Sequence, residues 1–460
     1  MPPVLKPAVL LLTALLATQP GPNDQLAREV LKELIEINTT DTPAGNVTEA
    51  AEAMAARLLA GGFAPADVQV LGPDPRKGNL VARLRGSGMR RPLLLLAHLD
   101  VVEARREDWT TDPFVMLERD GYFYGRGTTD DKGMAAQFVA NLLRLKREGF
   151  VPDRDLILAL TADEEGGAFN GVQWLLANHR SLIDAEFAIN EGGGGAIRRG
   201  KYVANAIQAS EKVYQDFRFE VKNAGGHSSL PVRDNAIYRL SAGLSRLAAF
   251  EFPVALNEVT RTFFERSAQV EADAKTAADM RALAGAAPDL AAAARLSAQP
   301  FYNAMIRTTC VATLVEAGHA TNALPQTARA NVNCRLLPGV SPQSVRETLV
   351  KVVADPAIAI STVDEARPSR PSPLRADVVE VVEALTRQLY PGVIVVPTMA
   401  TGATDGLFLR NAEIPTYGIS GTFGDMDDVR AHGRDERVGV KQFFEGLEFQ
   451  YRLIKALAGK

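Results

Sequence analysis

The 460-residue sequence predicts an α/β fold, with a mainly parallel sheet in one domain that is split by an inserted α+β domain. Three observations point there. From residue 25 to 207, helical periodicities alternate with short apolar runs, as in layered domains with parallel strands. Near residue 208 the pattern changes to strict polar–apolar alternation, as in DFRFEVKN (216–223), the mark of half-solvated antiparallel strands. After Pro368 and Pro371 the first pattern resumes. The expected divisions are therefore a leader at 1–20, the main domain at 21–207 and 369–460, and an insertion at 208–368.

The first helix comes from NDQLAREVLKELIEIN, where Leu26, Val30, Leu34 and Ile35 recur at helical spacing. Strands are expected at 67–71 and 78–84. RPLLLLAHLD follows, a continuous apolar run of the kind central parallel strands show. DDKGMAAQFVANLLRLKREGF predicts a helix with Met134, Phe138, Leu142 and Leu145 on one face, stopped by Gly149 and Pro152. A strand at 155–161, a helix at 170–179 and a strand at 186–190 complete the first part. In the insertion, 216–223, 308–316, 328–336 and 357–362 are expected strands. Helices are expected at 234–249 and 342–353 and in an Ala-rich stretch to about 297. The last segment predicts a helix at 374–389, the strands VIVVP and IPTYGIS, and a terminal helix at 440–457.

Hydrophobic residues make up 46% and charged residues 23%, and a net charge of −4 gives no electrostatic reason to expect nucleic acid. In MPPVLKPAVLLLTALLATQP, Lys6 precedes an apolar stretch from Ala8 to Ala17, too short to span a bilayer and matching a secretory signal. The expected location is periplasmic or secreted, with no stable membrane span in the mature chain. Leu15 stands where a cleavage site has a small residue, so an uncleaved anchor stays open. Cys310 and Cys334 are the only cysteines, which excludes a Cys-based zinc site. They lie in neighbouring strand-like runs and are either paired or two buried thiols.

Polar groups gather where the apolar runs end. LILALTADEEGG (156–167) closes a buried strand with Asp163, Glu164 and Glu165 side by side. Two carboxylates about 5 Å apart repel by roughly 3 kcal/mol at an effective dielectric of 20, which either solvation or, at the carboxyl end of a buried strand, a cation offsets. His98 and Asp100 in HLD close the LLLLA run, so that Asp100 can hold the second ring nitrogen of a ligating His98. GRGTTDDKG (125–133) places Asp130 and Asp131 before a helix, where either also suits an N-cap. In INEGGGG (189–195) an apolar strand closes with Glu191, and GDMDDVRAHGRDERV (424–438) carries His432. Two imidazoles and several carboxylates at strand ends suit divalent ions, with zinc favoured by imidazole.

With these residues in place, the sequence resembles the co-catalytic di-zinc peptidases that include aminoacylases, glutamate carboxypeptidases, carboxypeptidase S and succinyl-diaminopimelate desuccinylase. The elements HLD, GRGTTDDKG, DEEGG, EGG and AHGRDERV occur in that family's order. The resemblance implies a di-zinc hydrolase domain split by a lid and dimerisation domain, with two Zn2+ per chain, or Co2+ or Mn2+ in their place. It implies Asp130 as the carboxylate bridging both metals, before a cis peptide to Asp131. It makes His98 and Glu191 the ligands of one metal, Glu165 and His432 those of the other, and Glu164 the general base. A water acidified by the metals would give its proton to Glu164 and attack the amide carbonyl. His227, in NAGGHSSLP, is implied as the oxyanion donor, often reaching across a homodimer. Asn322 and Arg335 are implied as the grip on the substrate's free carboxylate, although Arg335 also suits an ordinary strand ion pair.

The resemblance further implies an exported amidohydrolase acting on a small peptide or N-acyl amino acid, of carboxypeptidase, dipeptidase or aminoacylase type. EGG and GATDG look more like the carboxypeptidase S and N-acyl amino acid hydrolase branch. Asp405, in GATDG, is an acid near the site or a helix cap. Asp163, His179 and His319 are expected to be structural. The long Ala-rich stretch at 255–298 departs from the family's shorter lids. The alternative is a catalytically inactive relative that binds peptides or metal at the cell envelope, against which an intact Glu164, ligand set and His227 argue.

Overall fold

The computed structural model describes residues 21–459, so the leader expected at 1–20 lies outside the described residues. Ten strands form one large sheet. In order across it run Val68–Leu71, Asn79–Leu84, Leu156–Thr161, Leu93–His98, Phe187–Asn190, Thr416–Gly418, Lys201–Glu211, Gly195–Arg198 and Phe423–Asp425, with Ile394–Ala400 also paired to Lys201–Glu211. The centre, from Leu156–Thr161 to Thr416–Gly418, is parallel, and antiparallel pairs flank it.

The run LLLLAH is buried on both faces because helices cover both. Leu93, Leu95 and Ala97 enter the core beneath the helices Pro22–Glu36, Val47–Ala60, Lys132–Arg147 and Val440–Ala458. Leu94 and Leu96 enter the opposite core with Val172, Leu175 and Leu409. This alternation is the period of two that a strand imposes, and each buried leucine contributes about 1.5–3 kcal/mol. No helix among the described residues is long and apolar enough to cross a membrane.

At Lys212 the chain passes from Lys201–Glu211 of the large sheet into Val213–Lys222 of a second, antiparallel sheet. Its order is Thr309–Ala317, Thr327–Leu336, Val213–Lys222, Ile358–Thr362. Burial alternates along Val213–Lys222, and Phe217, Phe219 and Val221 pack with Leu240 and Leu349 of the helices Ala236–Ala248 and Pro342–Val353. Cys310 and Cys334 stand directly opposite one another in register and are disulfide-bonded, with Cα atoms 4.1 Å apart.

The Ala-rich stretch differs from its expected place with the small sheet. It forms the helices Glu258–Ser267, Ala274–Ala284 and Leu290–Leu296, followed by Pro300–Ile306. These build a core of their own around Phe264, Met280 and Leu283, and that core includes Met399 of the large-sheet strand Ile394–Ala400. Arg266 fastens the contact by pairing with Glu383 at 2.6 Å and donating to the Val395 carbonyl at 2.9 Å. The apolar face carrying Val259 and Phe264 meets the large sheet, and this sets the docking.

Candidate metal centre

Three parallel strands end at one edge of the sheet, and each delivers a chemistry-bearing group. His98 closes Leu93–His98 and pairs in register with Thr161. Glu164 and Glu165 follow Leu156–Thr161, and Glu191 follows Phe187–Asn190. The loop before the helix Lys132–Arg147 brings Asp130, and the loop before Arg437–Gly439 brings His432. The peptide joining Asp130 to Asp131 is cis.

Asp130 is the hub. Its Oδ1 lies 3.0 Å from His98 Nε2 and its Oδ2 lies 3.1 Å from His432 Nε2. Glu191 Oε2 stands 4.0 Å from His98 Nε2, and Glu165 Oε1 stands 2.8 Å from His432 Nε2. The donor atoms thus fall into two groups, His98–Asp130–Glu191 and Asp130–Glu165–His432, each within 4.8 Å. Each group offers one imidazole nitrogen and carboxylate oxygens, a donor set for borderline divalent ions. The residues present fit two such cations that share Asp130.

The electrostatics fit as well. Burial raises Asp130, but hydrogen bonds from His432 and His98 outweigh it and hold its carboxyl below the usual range. Those bonds to Asp130, with the Glu165 charge, push His432 up to about 9. Burial pushes Glu165 up to about 7, with the Asp130 charge adding to it. Burial drives Glu164, Glu191 and Asp131 well above the normal carboxylate range, and neighbouring acids reinforce this. So many crowded, desolvated acids form a site short of positive charge, which divalent cations would supply.

Asp100 stands at the second ring nitrogen of His98. His98 Nδ1 sits 3.0 Å from the backbone carbonyl of Asp100 and 3.6 Å from its Oδ1. A carbonyl accepts only, so Nδ1 carries a proton, and Nε2 is the nitrogen that a cation held with Asp130 and Glu191 would take. The other carboxylate oxygen, Oδ2, accepts the Glu165 backbone N–H at 2.9 Å, which orients the strand end. Asp163 serves structure, as a buried partner of Lys77 at 2.5 Å. Asp405 makes no side-chain bond at its helix start. It is buried against Asn170 at 2.6 Å, and burial pushes its carboxyl up to about 7.

The structure does not bring the remaining expected residues to this cluster. His227 is exposed on the short ladder Gly226–His227 with Ala323–Leu324, and its Nδ1 accepts from Ser229 N at 3.1 Å. Asn322 is exposed beside it, and its carbonyl accepts the Ser228 N–H at 3.0 Å. Arg335 is half-buried, with its guanidinium over the Tyr214 ring at 4.6 Å rather than in the alternative strand ion pair. His179 ends Gly171–Asn178 with its ring 4.9 Å from that of Trp174, and His319 is exposed.

Glu436 was missed. It is fully buried, pairs with Arg126 at 2.7 Å, and accepts from Gly127 N, Thr129 N, Thr129 Oγ1 and Asp130 N at 2.7–3.2 Å. Arg126 in turn donates to the Gly433 carbonyl at 3.0 Å, so one ion pair ties the Asp130 loop to the His432 loop. The charge-rich string GRDER resembles a solvated loop, and the burial of Asp435 and Glu436 within it shows only in the fold.

Comparison with known proteins places the chain in a family. Residues 94–456 match the model of peptidase family M20/M25/M40. The "N-fatty-acyl-amino acid synthase/hydrolase PM20D1" of Homo sapiens is 30% identical over 386 residues, covering 79% of this chain and 74% of that protein. The "Probable carboxypeptidase S-like 2" of Dictyostelium discoideum is 30% identical over 377 residues, with 79% and 71% coverage. Among solved structures, an M20 family metallo-carboxypeptidase from Sulfolobus solfataricus superposes with a TM-score of 0.70 at 19% identity, covering 94% of this chain and 99% of that one.

Proposed function

The chain belongs to peptidase family M20/M25/M40 and is a hydrolytic enzyme; from that premise we propose that it cleaves the amide bond of a small peptide or N-acyl amino acid bearing a free carboxylate. His98, Asp130 and Glu191 would hold one divalent cation and Asp130, Glu165 and His432 the other. Imidazole ligands favour zinc. The observation that carries this reading is Asp130, whose two oxygens face two different imidazoles at 3.0 and 3.1 Å. Bound there, the cations supply the charge that polarises an amide carbonyl and acidifies a water.

The rest falls to the chain's own groups. Glu164 stands in the same strand-end turn as the ligand Glu165, takes the proton of the attacking water, and returns it to the leaving nitrogen as the C–N bond breaks. The Asp100 carbonyl keeps His98 in the Nδ1–H tautomer, and Glu436 holds the Asp130 loop in place. His227 accepts from the Ser229 backbone N–H at Nδ1, which leaves Nε2–H as a free donor for the oxyanion of the tetrahedral intermediate. Because His227 and Asn322 are exposed in a single chain, we assign them to the site of a second copy, in a homodimer joined through the small sheet. Val311, Leu314 and Val315 on its edge strand are 60%, 65% and 60% exposed and suit that joint. Arg335, without a carboxylate partner of its own, is assigned to the substrate's carboxylate. The intact Glu164 and ligand set favour turnover over a binding-only relative. With the leader expected from the sequence, the proposed location is periplasmic or secreted.

The test is a pooled library of dipeptides, longer peptides and N-acyl amino acids, each with free and amidated carboxyl ends, digested with zinc and with a chelator and read by mass spectrometry. Chelator-sensitive cleavage confined to free carboxylates supports the reading, whereas cleavage that ignores amidation or chelation overturns it.

A further inference from the structure

Asp405 is a buried acid to which the reaction gives no part. It precedes the helix Gly406–Asn411, yet its side chain caps nothing there; Thr404 Oγ1 takes the Gly406 N–H instead, at 3.1 Å. Asp405 is 3% exposed, its carboxylate is turned inward, and among the described residues no lysine or arginine pairs with it. Burying an acid without a cation is unfavourable, and proteins keep such arrangements chiefly where a function needs them.

Its contacts show what it serves. Asn170 gives one N–H of its amide to Asp405 Oδ1 at 2.6 Å and the other to the backbone carbonyl of Asp163 at 3.2 Å. The amide is fixed in that sense, because its oxygen accepts the Gln173 N–H at the start of the helix Gly171–Asn178. Asp405 Oδ2 lies 3.4 Å from Thr161 Oγ1, at the end of the strand Leu156–Thr161. The Asp163 carbonyl belongs to the peptide bond that leads into Glu164. Asp163 itself has φ 58°, in the left-handed region that few residues other than glycine hold unsupported. Through Asn170, Asp405 therefore steadies the peptide plane on which the direction of the Glu164 side chain depends.

Asp405 is braced in turn by its neighbour. Thr404 gives both its N–H and its hydroxyl to Glu211 Oε2, each at 2.9 Å, and Asn190 Nδ2 reaches Thr404 Oγ1 at 3.4 Å. Glu211 ends the strand Lys201–Glu211 and is itself buried and paired with Arg410.

We propose that Asp405 is a positioning residue for the general base, setting through Asn170 the turn that presents Glu164 to the attacking water. The proposal rests on the hydrolase reading above and deepens it by adding a residue that stands behind the base.

The test compares Asp405→Ala and Asp405→Asn in metal-loaded wild-type and Glu164→Gln protein, on one N-acyl amino acid that the wild type cleaves. Asp405→Ala is expected to lower kcat by about 10–100-fold, the effect of a slightly misplaced reacting group, with KM and bound metal within about twofold of wild type. Asp405→Asn keeps an oxygen for Asn170 and is expected to recover most of that loss. In the Glu164→Gln background Asp405→Ala is expected to have no further effect, since the base it positions is gone. A merely structural role would lower activity equally in both backgrounds. Asn170→Ser keeps an oxygen to cap its helix but loses the amide, so it is expected to repeat the pattern and carries the test if Asp405→Ala does not fold.

Hydrogen exchange gives a readout free of turnover. The amides of Phe169, Gly171 and Gln173 close the turn on Asp163, Ala162 and Asn170. They are expected to exchange faster in Asp405→Ala than in wild type or Asp405→Asn, with zinc present or absent. Equal losses in the two backgrounds, loss of metal along with activity, or unchanged exchange in this turn would overturn the positioning role while leaving the hydrolase intact. If the wild type cleaves no substrate at all, the hydrolase reading falls and this proposal with it.

Discussion

At the scale of single residues, the site depends on side chains that touch no metal. Glu436 accepts the backbone N–H groups of Gly127, Thr129 and Asp130 and neutralises the buried Arg126. Glu436→Ala leaves a buried guanidinium unpaired, so it is expected to lose about 3–5 kcal/mol of stability, as broken buried pairs do. Equilibrium denaturation of the metal-free protein measures this, and a loss under 1 kcal/mol would deny Glu436 its role. Glu164→Gln is expected to lower kcat by about 10²–10⁴-fold, the range of general acid–base catalysis, with metal content unchanged. Metal analysis beside the kinetics separates the two, because a variant that lost its metals would make Glu164 a positioning residue.

Lys212 offers a pH test away from the metals. Burial, with Arg335 nearby, pulls its ammonium down to about 7, and its one hydrogen bond is to Thr309 Oγ1 at 3.2 Å. Between about pH 7 and its ordinary 10.5 the unfolded chain binds the proton and the folded chain does not, so this residue makes stability rise with pH across that window. Below it both states are protonated and the full penalty for a buried charge applies. Lys212→Met should therefore be more stable than wild type at pH 7, with the gap closing towards pH 10. A gap that is constant with pH would show that Lys212 does not titrate there. Neither Lys212 nor Glu436 could be singled out in the sequence, because burial of a charged side chain leaves no local pattern.

At the scale of elements, legibility followed periodicity. LLLLAH and LILALT are unbroken apolar runs, and both are central strands covered on two faces. DFRFEVKN alternates, and it is a strand with one face in the core. The helix Val47–Ala60 was not anticipated. In VTEAAEAMAARLLA, alanines blur the contrast between faces, and the Asn46 cap that accepts Thr48 N is a weak signal alone. The short strands Gly195–Arg198 and Phe423–Asp425 were missed because GAIR and FGD are too short to show a period; they pair with one another across more than 200 residues. The edge strand Thr309–Ala317 is the element that the proposed dimer uses. Val311→Lys places a charge in that joint, so sedimentation equilibrium is expected to find a dimeric wild type and a monomeric variant. A wild type that stays monomeric at high protein concentration would remove His227 and Asn322 from a partner's site.

At the scale of the whole molecule, the candidate site is a product of topology. His98, Glu164, Glu165 and Glu191 reach one place because three parallel strands end at the same sheet edge. Asp130 and His432 are carried there by loops far apart in sequence and bound together through Glu436. The five motifs were visible in the chain, and strand ends explained why they would meet. Their distances and the Arg126–Glu436 tie needed the folded structure. The docking of the Ala-rich helices was not legible either, since no local pattern says which of two sheets an apolar helix face will meet.

The central claim is that these loops and strand ends hold two divalent cations and that amide hydrolysis requires both. The direct measurement is a zinc titration of metal-free protein, following bound metal and cleavage of an N-acyl amino acid in the same samples. Binding is expected to saturate at two equivalents per chain, with full activity reached only as the second is taken up. Saturation at one equivalent, or full activity in the metal-free protein, would contradict the account.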